Sequence, residues 1–215
     1  MFAFVWTHVI GICSAQSYEQ MWKQVEALEQ KQLPESAIKE LQKIYEHAKQ
    51  EKNMPQMMKA HLTKASLSID ITPDSLDREL SGLKTWVAEE KDPVYKAILN
   101  HLLGYYTLDT GKRDEAAIDA AIAYFRLSLQ DKDLLSRKSA ADYRPMTVSK
   151  ELSGKYCGDN MYQLLARQAI SRLSGYFIVN PVLAGKIQTE ILSIYDGLID
   201  FYQQQGMTDA RLLLM

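Results

Sequence analysis

The feature that most constrains the fold is a rhythm of apolar residues spaced three or four apart, repeated between short breaker segments. After Ser17 such residues recur at Tyr18, Met21, Val25 and Leu28. This spacing places them on one face of an α-helix, whereas a half-buried strand would alternate with a period of two. The pattern therefore predicts an amphipathic helix at the start of the folded part of the chain.

The same rhythm continues along the chain, and Pro, Gly, Asn or Asp residues mark where each run begins or stops. Ten Gly and six Pro are too few for a β-sandwich with a turn after every short strand. We therefore expect an all-α fold of eight helices and a short final segment from Thr208. The predicted helix starts lie at or next to Ser17, Glu35, Asn53, Thr72, Asp92, Asp114, Asp159 and Asn180.

Short turns join most of these helices, so neighbours are expected to form antiparallel pairs. Each pair spans roughly 35–40 residues, which is typical of tetratricopeptide (TPR) and related repeats. We predict that the pairs stack as a TPR-like right-handed solenoid. The Gly-x-x-Tyr element of such repeats is absent from the first pair, which covers residues 17–53.

Residues 1–15 carry no Asp, Glu, Lys or Arg and are mostly apolar. They are too short for a membrane span, but they fit a signal peptide cleaved after Ala15, with the small residue Cys13 two positions earlier. We therefore predict export from the cytoplasm and a helical-repeat domain over 16–215. Two alternatives stay open: a buried N-terminal helix, and lipidation of Cys13, which the bulky Ile12 disfavours.

Helical periodicity fades over residues 131–158, where an irregular connector is predicted. Long connectors of this kind are often functional. Most aromatic residues fall on the apolar helix stripes, where packing explains them, and Tyr105 and Tyr202 are examples. Three tyrosines in or near the connector are candidates for contacting a partner protein, a peptide or a glycan: Tyr143, Tyr156 and Tyr162.

No catalytic, cofactor-binding or metal-binding motif is present in the sequence. The four histidines lack the spacing of a zinc site and are expected to be exposed or half-buried. Cys157 precedes a predicted helix start, but no histidine follows His101 to act as its base. We therefore predict that the protein is not an enzyme.

The charge balance argues against a nucleic-acid partner. Lys and Arg total 25 against 27 Asp and Glu, a net charge of −2, whereas nucleic-acid binders present a strongly basic face. No membrane span is expected after residue 15. The apolar final segment, Leu212–Met215, has no stop signal, and we expect the chain to be the N-terminal part of a longer protein.

Several segments resemble the N-terminal region of the alpha-2-macroglobulin-like proteins that Bacteroidetes bacteria export. The resemblance covers SYEQMWKQVE at 17–26, LPESA at 33–37, IYEHAKQEKN at 44–53, YRP at 143–145, TVSK at 147–150, YCGDNMY at 156–162 and DFYQQQG at 200–206. In that family a TPR-like helical region follows the signal peptide and precedes a series of β-sandwich domains.

The resemblance implies an envelope protein of a Gram-negative bacterium, in the periplasm or on the outer-membrane surface, with a role in protease trapping or defence. The helical region would be its non-catalytic scaffold or docking arm. The family's Cys-Gly-Glu-Gln thioester does not occur here, because Gly158 and Asp159 follow Cys157. A stand-alone TPR-like protein that binds glycans or proteins is the alternative.

Overall fold

The computed structural model describes residues 17–72, 74–109, 114–143, 160–176 and 181–206. The all-α prediction is confirmed for these residues. Their helices are α1 (Tyr18–Gln30), α2 (Pro34–Gln50), α3 (Met54–Ile71), α4 (Ser75–Glu89), α5 (Pro93–Asp109), α6 (Glu115–Leu129), α7 (Lys132–Ser136), a 3-10 turn (Ala140–Tyr143), α8 (Met161–Gly175) and α9 (Pro181–Gln204). The chain divides into two compact units, Met1–Leu67 and Ser68–Met215.

Side-chain caps fix several of the predicted helix starts. The Asp92 carboxylate accepts hydrogen bonds from the backbone N–H groups of Val94 and Tyr95, at 2.8 and 3.1 Å. Asp114 caps α6 in the same way by accepting from the N–H of Ala117 at 2.8 Å. These bonds satisfy N–H groups that have no partner within the helix.

In the first unit, α1 and α2 form an antiparallel pair. The hydroxyl of Tyr18, at the start of α1, donates to Glu51 just after α2, at 2.7 Å. Trp22 fixes α1 to α3, because its indole N–H donates to Gln56 at 2.8 Å and the Lys59 ammonium lies 3.8 Å from the ring centroid. The buried residues of this core are Trp22, Val25, Ala37, Leu41, Ile44 and Ala60.

The second unit contains two antiparallel pairs, α5 with α6 and α8 with α9. The α5–α6 pair is tight, since a Cβ at Gly104 would lie 2.9 to 3.1 Å from three ring atoms of Phe125. In the other pair, Tyr162 near the start of α8 packs on Phe201 near the end of α9, with ring centroids 5.5 Å apart.

The two pairs lie side by side with equivalent helices parallel. Contacts join α5 to α8, and α6 to both α8 and α9. Arg172 near the end of α8 lies over Tyr105 near the end of α5, with its guanidinium carbon 4.1 Å from the ring centroid. Tyr105 itself is exposed, so its predicted place in the core is wrong, whereas Tyr202 is fully buried.

The predicted connector at 131–158 is not irregular at its start. It begins with α7, capped by the Asp131 side chain, and continues into the 3-10 turn. Ser139 then pairs with Asn160 in an antiparallel bridge, and the Met161 N–H donates to the carbonyl of Lys138 at 2.9 Å. The connector therefore leaves and rejoins the fold at one place, while residues 144–159 lie outside the described part.

Candidate functional site

A groove runs along α6 and α9 of the second unit, with a volume of about 850 Å³. Its wall on α6 is formed by residues three or four apart, which share one helix face. The α9 wall comes from Lys186 and Thr189, which lie three residues apart on that helix. The lining residues are Asp119, Ile122, Ala123, Arg126, Leu127, Gln130, Lys186 and Thr189.

The groove combines apolar surface with a charged rim. Ile122 is buried, while Ala123 is exposed. Leu127 is 49% exposed, which is high for a leucine in the body of a helix. Covering apolar side chains of this kind with a partner is favourable by about 25 cal/mol per Å² of buried surface.

At one end of the groove, Lys186 joins the two helices. Its ammonium donates to Glu115 at 2.5 Å and to the two Asp119 oxygens at 2.9 and 3.1 Å. These hydrogen bonds, first to Glu115 and then to Asp119, hold the pKa of Lys186 above its usual value. Two carboxylates facing one ammonium give this end of the groove a net negative charge.

Arg126 presents the opposite charge farther along the groove. Its Nε and one terminal nitrogen donate to Glu190 Oε2, at 3.0 and 2.6 Å. The Glu190 side chain is only 3% exposed, whereas that of Arg126 is 68% exposed. The hydrogen bonds and the charge of Glu190 raise the pKa of Arg126. The pair is neutral, but the half that faces solvent is the cation.

The rim charges are engaged in ion pairs, and the groove lining includes no histidine or cysteine. No group of three or more His, Cys, Asp or Glu residues within the described ranges could hold a metal ion. The part of the chain that the structure covers also has no helix long and apolar enough to cross a membrane.

The first unit has a smaller groove of about 560 Å³ between α1 and α2. It is lined by Met21, Gln24, Ala27, Leu28, Glu40 and Lys43. Lys43 and Glu40 are one turn apart on α2 and form an ion pair at 2.7 Å. Because these charges lie on the same helix, this groove lacks the ion pairs between helices that shape the groove of α6 and α9.

Two of the three tyrosines predicted to contact a partner, Tyr143 and Tyr162, do not line the groove. Tyr143 is 8% exposed and packs edge-on against Tyr95, with ring centroids 5.5 Å apart. Tyr162 is 5% exposed and packs on Phe201. Burial, the largest cause, raises the pKa of each phenol to about 12. Neither ring offers a free surface for a glycan or peptide, because both help fix neighbouring helices; Tyr156 lies outside the described residues.

The expectation that the histidines are exposed or half-buried is wrong for His101. Its ring lies in the core, 5.2 Å from the Phe125 ring, and its Nδ1 is buried without a hydrogen-bond partner. Burial lowers its pKa from 6.5 to about 4, so the imidazole is neutral at neutral pH. His101 lines neither groove, and Cys157 is not among the described residues.

Sequence reasoning missed the groove, although part of its signal is visible. Asp119, Ala123, Arg126 and Gln130 follow the helical spacing of an exposed face of α6. What the spacing does not reveal is that α9 lies beside this face. The chain matches no known family model, no curated protein and no solved structure.

Proposed function

We propose that this chain is a non-catalytic helical-repeat interaction domain, and that a segment of a partner protein docks in the groove of α6 and α9. The observation that carries the proposal is the groove itself, with exposed Leu127 beside a rim of interhelical ion pairs. A groove that offers apolar surface beside polar groups that fix orientation is a common way to bind a helical segment.

The proposed architecture is a TPR-like right-handed stack of helix pairs. It is supported by the repetition in the second unit, where α8 and α9 stand to each other as α5 and α6 do. The parallel placement of α6 and α9 follows from the ion pairs of Glu115 with Lys186 and of Arg126 with Glu190. Stacked helix pairs of this kind present extended surfaces that bind proteins or peptides.

A substitution in the groove tests the binding proposal. Thr189→Arg places a long charged side chain in the groove wall, and Gln188→Arg makes the same change at a neighbouring exposed position outside the groove lining. We expect at least one envelope protein to be retained by the immobilised wild-type chain and by Gln188→Arg, but lost with Thr189→Arg. If no retained protein depends on Thr189, the proposed function is refuted.

We further propose that the domain belongs to an exported alpha-2-macroglobulin-like envelope protein, as the segments that resemble that family imply. An immunoblot of fractionated source cells with an antibody against residues 17–215 tests this context. A band far above 24.5 kDa in the envelope fraction is expected. A band near 24.5 kDa would instead indicate the alternative, a stand-alone TPR-like accessory protein.

A further inference from the structure

The exposed face of α6 is complementary in charge to itself when a second copy runs in the opposite direction. Asp119 and Arg126 lie seven residues apart, which is two helical turns or about 10 Å. An antiparallel second α6 places Arg126 opposite Asp119 and Asp119 opposite Arg126. A parallel copy in register would instead bring like charges together.

Both charges remain accessible to such a partner. The Arg126 side chain is 68% exposed, and Glu190 occupies only its Nε and one terminal nitrogen. The other terminal nitrogen, Nη1, is therefore available to a second carboxylate. Asp119 accepts from Lys186 but is still 54% exposed, so its oxygens can also accept from a guanidinium.

The residue midway between these charges permits close approach. Ala123 lies four residues after Asp119 and three before Arg126, and it is exposed. A methyl group at the crossing point lets two helix axes approach to about 8 Å. In this register Leu127, next to Arg126, lies close to the level of Asp119 of the other copy, and the methylene stem of that copy's Lys186 covers part of its exposed surface.

We propose that the groove of α6 and α9 binds a second copy of this chain, through an antiparallel two-fold pairing of α6 centred near Ala123. This inference rests on the proposed docking role of the groove and names its occupant. The interface is small and partly polar, so we expect a reversible dimer with a Kd in about the micromolar range. Two-fold pairing of identical surfaces is the commonest form of homo-oligomer.

Sedimentation equilibrium of the purified full chain tests the pairing. Ala123→Arg brings two guanidinium groups together at the axis and should weaken the dimer at least tenfold. Ala88→Arg makes the same change at an exposed position of α4 and should leave the dimer unchanged. Circular dichroism of both variants checks that the helices are retained. A wild-type chain that stays monomeric, or a dimer insensitive to Ala123→Arg, would overturn the proposal.

A cross-link gives a second measurement that does not depend on weakening anything. In a Cys13→Ser, Cys157→Ser background, Ala123→Cys places one thiol from each copy near the two-fold axis. The two Cα atoms then lie close enough for a disulfide, which requires a separation of roughly 4.4–6.8 Å. We expect mild oxidation to produce a covalent dimer, and Ala88→Cys in the same background to produce none. Equal cross-linking of the two variants would contradict the register.

The two proposals fail in different ways. Self-pairing is measured on the purified chain alone, whereas the docking role is measured by proteins from an envelope extract that depend on Thr189. If the chain is monomeric and retains such a protein, self-pairing is refuted and the groove remains a docking site for another protein. If the chain pairs through Ala123 and retains no such protein, self-pairing is supported and docking of another protein is refuted.

Discussion

Burial of His101 predicts a specific loss of stability between neutral and mildly acidic pH. The ring lies against Phe125 at the α5–α6 contact, and burial lowers its pKa from 6.5 to about 4. As the pH falls through 6.5, the unfolded chain takes up a proton that the folded chain does not accept until about pH 4. The contribution of neutral His101 to the free energy of unfolding is therefore fully present above this window and is lost as the pH falls through it.

The size of this loss follows from the separation of the two pKa values. One pKa unit corresponds to about 1.4 kcal/mol, so the loss reaches about 3 kcal/mol by about pH 4. About 2 kcal/mol of it is already lost by about pH 5, since the unfolded imidazole is then almost fully protonated. A typical domain is stable by roughly 5–15 kcal/mol, so the change is large enough to measure directly.

Denaturant unfolding across this pH range, in the wild type and in His101→Met, isolates the effect. Methionine is apolar, has a side chain of similar length and does not titrate. Between pH 6.5 and about 4 this variant should therefore lose about 3 kcal/mol less stability than the wild type. His47→Met, at a half-buried histidine of the first unit, is the matched control and should keep the steep dependence. Parallel curves for the wild type and His101→Met would refute the reasoning.

Three further substitutions test the packing, the helix ends and the buried charge. Gly104→Ala should destabilise by about 1–3 kcal/mol in thermal unfolding because an aromatic ring fills the space of the new methyl group, whereas Gly82→Ala, which meets no atom within 4 Å, should stabilise by about 0.5–1 kcal/mol. Lys52→Gly should raise the free energy of unfolding by about 1 kcal/mol, and with it the denaturant midpoint, because φ of this residue is 56° and a side chain there is strained. An unchanged midpoint would contradict this. Arg126→Ala should destabilise by about 2–4 kcal/mol because it leaves the carboxylate of Glu190 buried and unpaired. The double variant Glu190→Gln/Arg126→Ala should be more stable than Arg126→Ala, since it has no buried charge. Equal stability of the two variants would contradict a charge effect.

Most helix positions were predictable because they depend on local chemistry, although α7 lies in the predicted irregular connector. Asp92 and Asp114 cap helices wherever the rest of the chain lies, and apolar spacing identifies the face that each helix buries. The ends of α1 and α2 were harder to place, since no glycine marks them. Gln32 and Lys52 adopt positive φ there, at 57° and 56°, a conformation usually given to glycine.

The candidate tyrosines show where local reasoning stops. Tyr143 stands in a stretch without helical periodicity, which favours an exposed loop, yet the 3-10 turn carries its ring onto Tyr95 of α5. Tyr162 follows the helix start at Asn160, and its burial depends on Phe201, 39 positions later in the chain. Whether such a ring is free depends on which distant segment packs on it, and apolar spacing does not encode that choice.

The groove depends on the same kind of long-range information, and this explains why its charges are informative only after the helices are placed. In the sequence, Arg126 is one cation on a polar helix face, and Glu190 is one acid beside Gln188 and Thr189. Their separation of 64 positions leaves no local sign that the carboxylate is 3% exposed. Once α6 and α9 are adjacent, burying the carboxylate requires a cation, and Arg126 meets this need while keeping its outer edge in solvent. Arg126 thus both stabilises the contact between α6 and α9 and presents a positive charge to a partner, so the helix contact and the proposed docking surface share this ion pair.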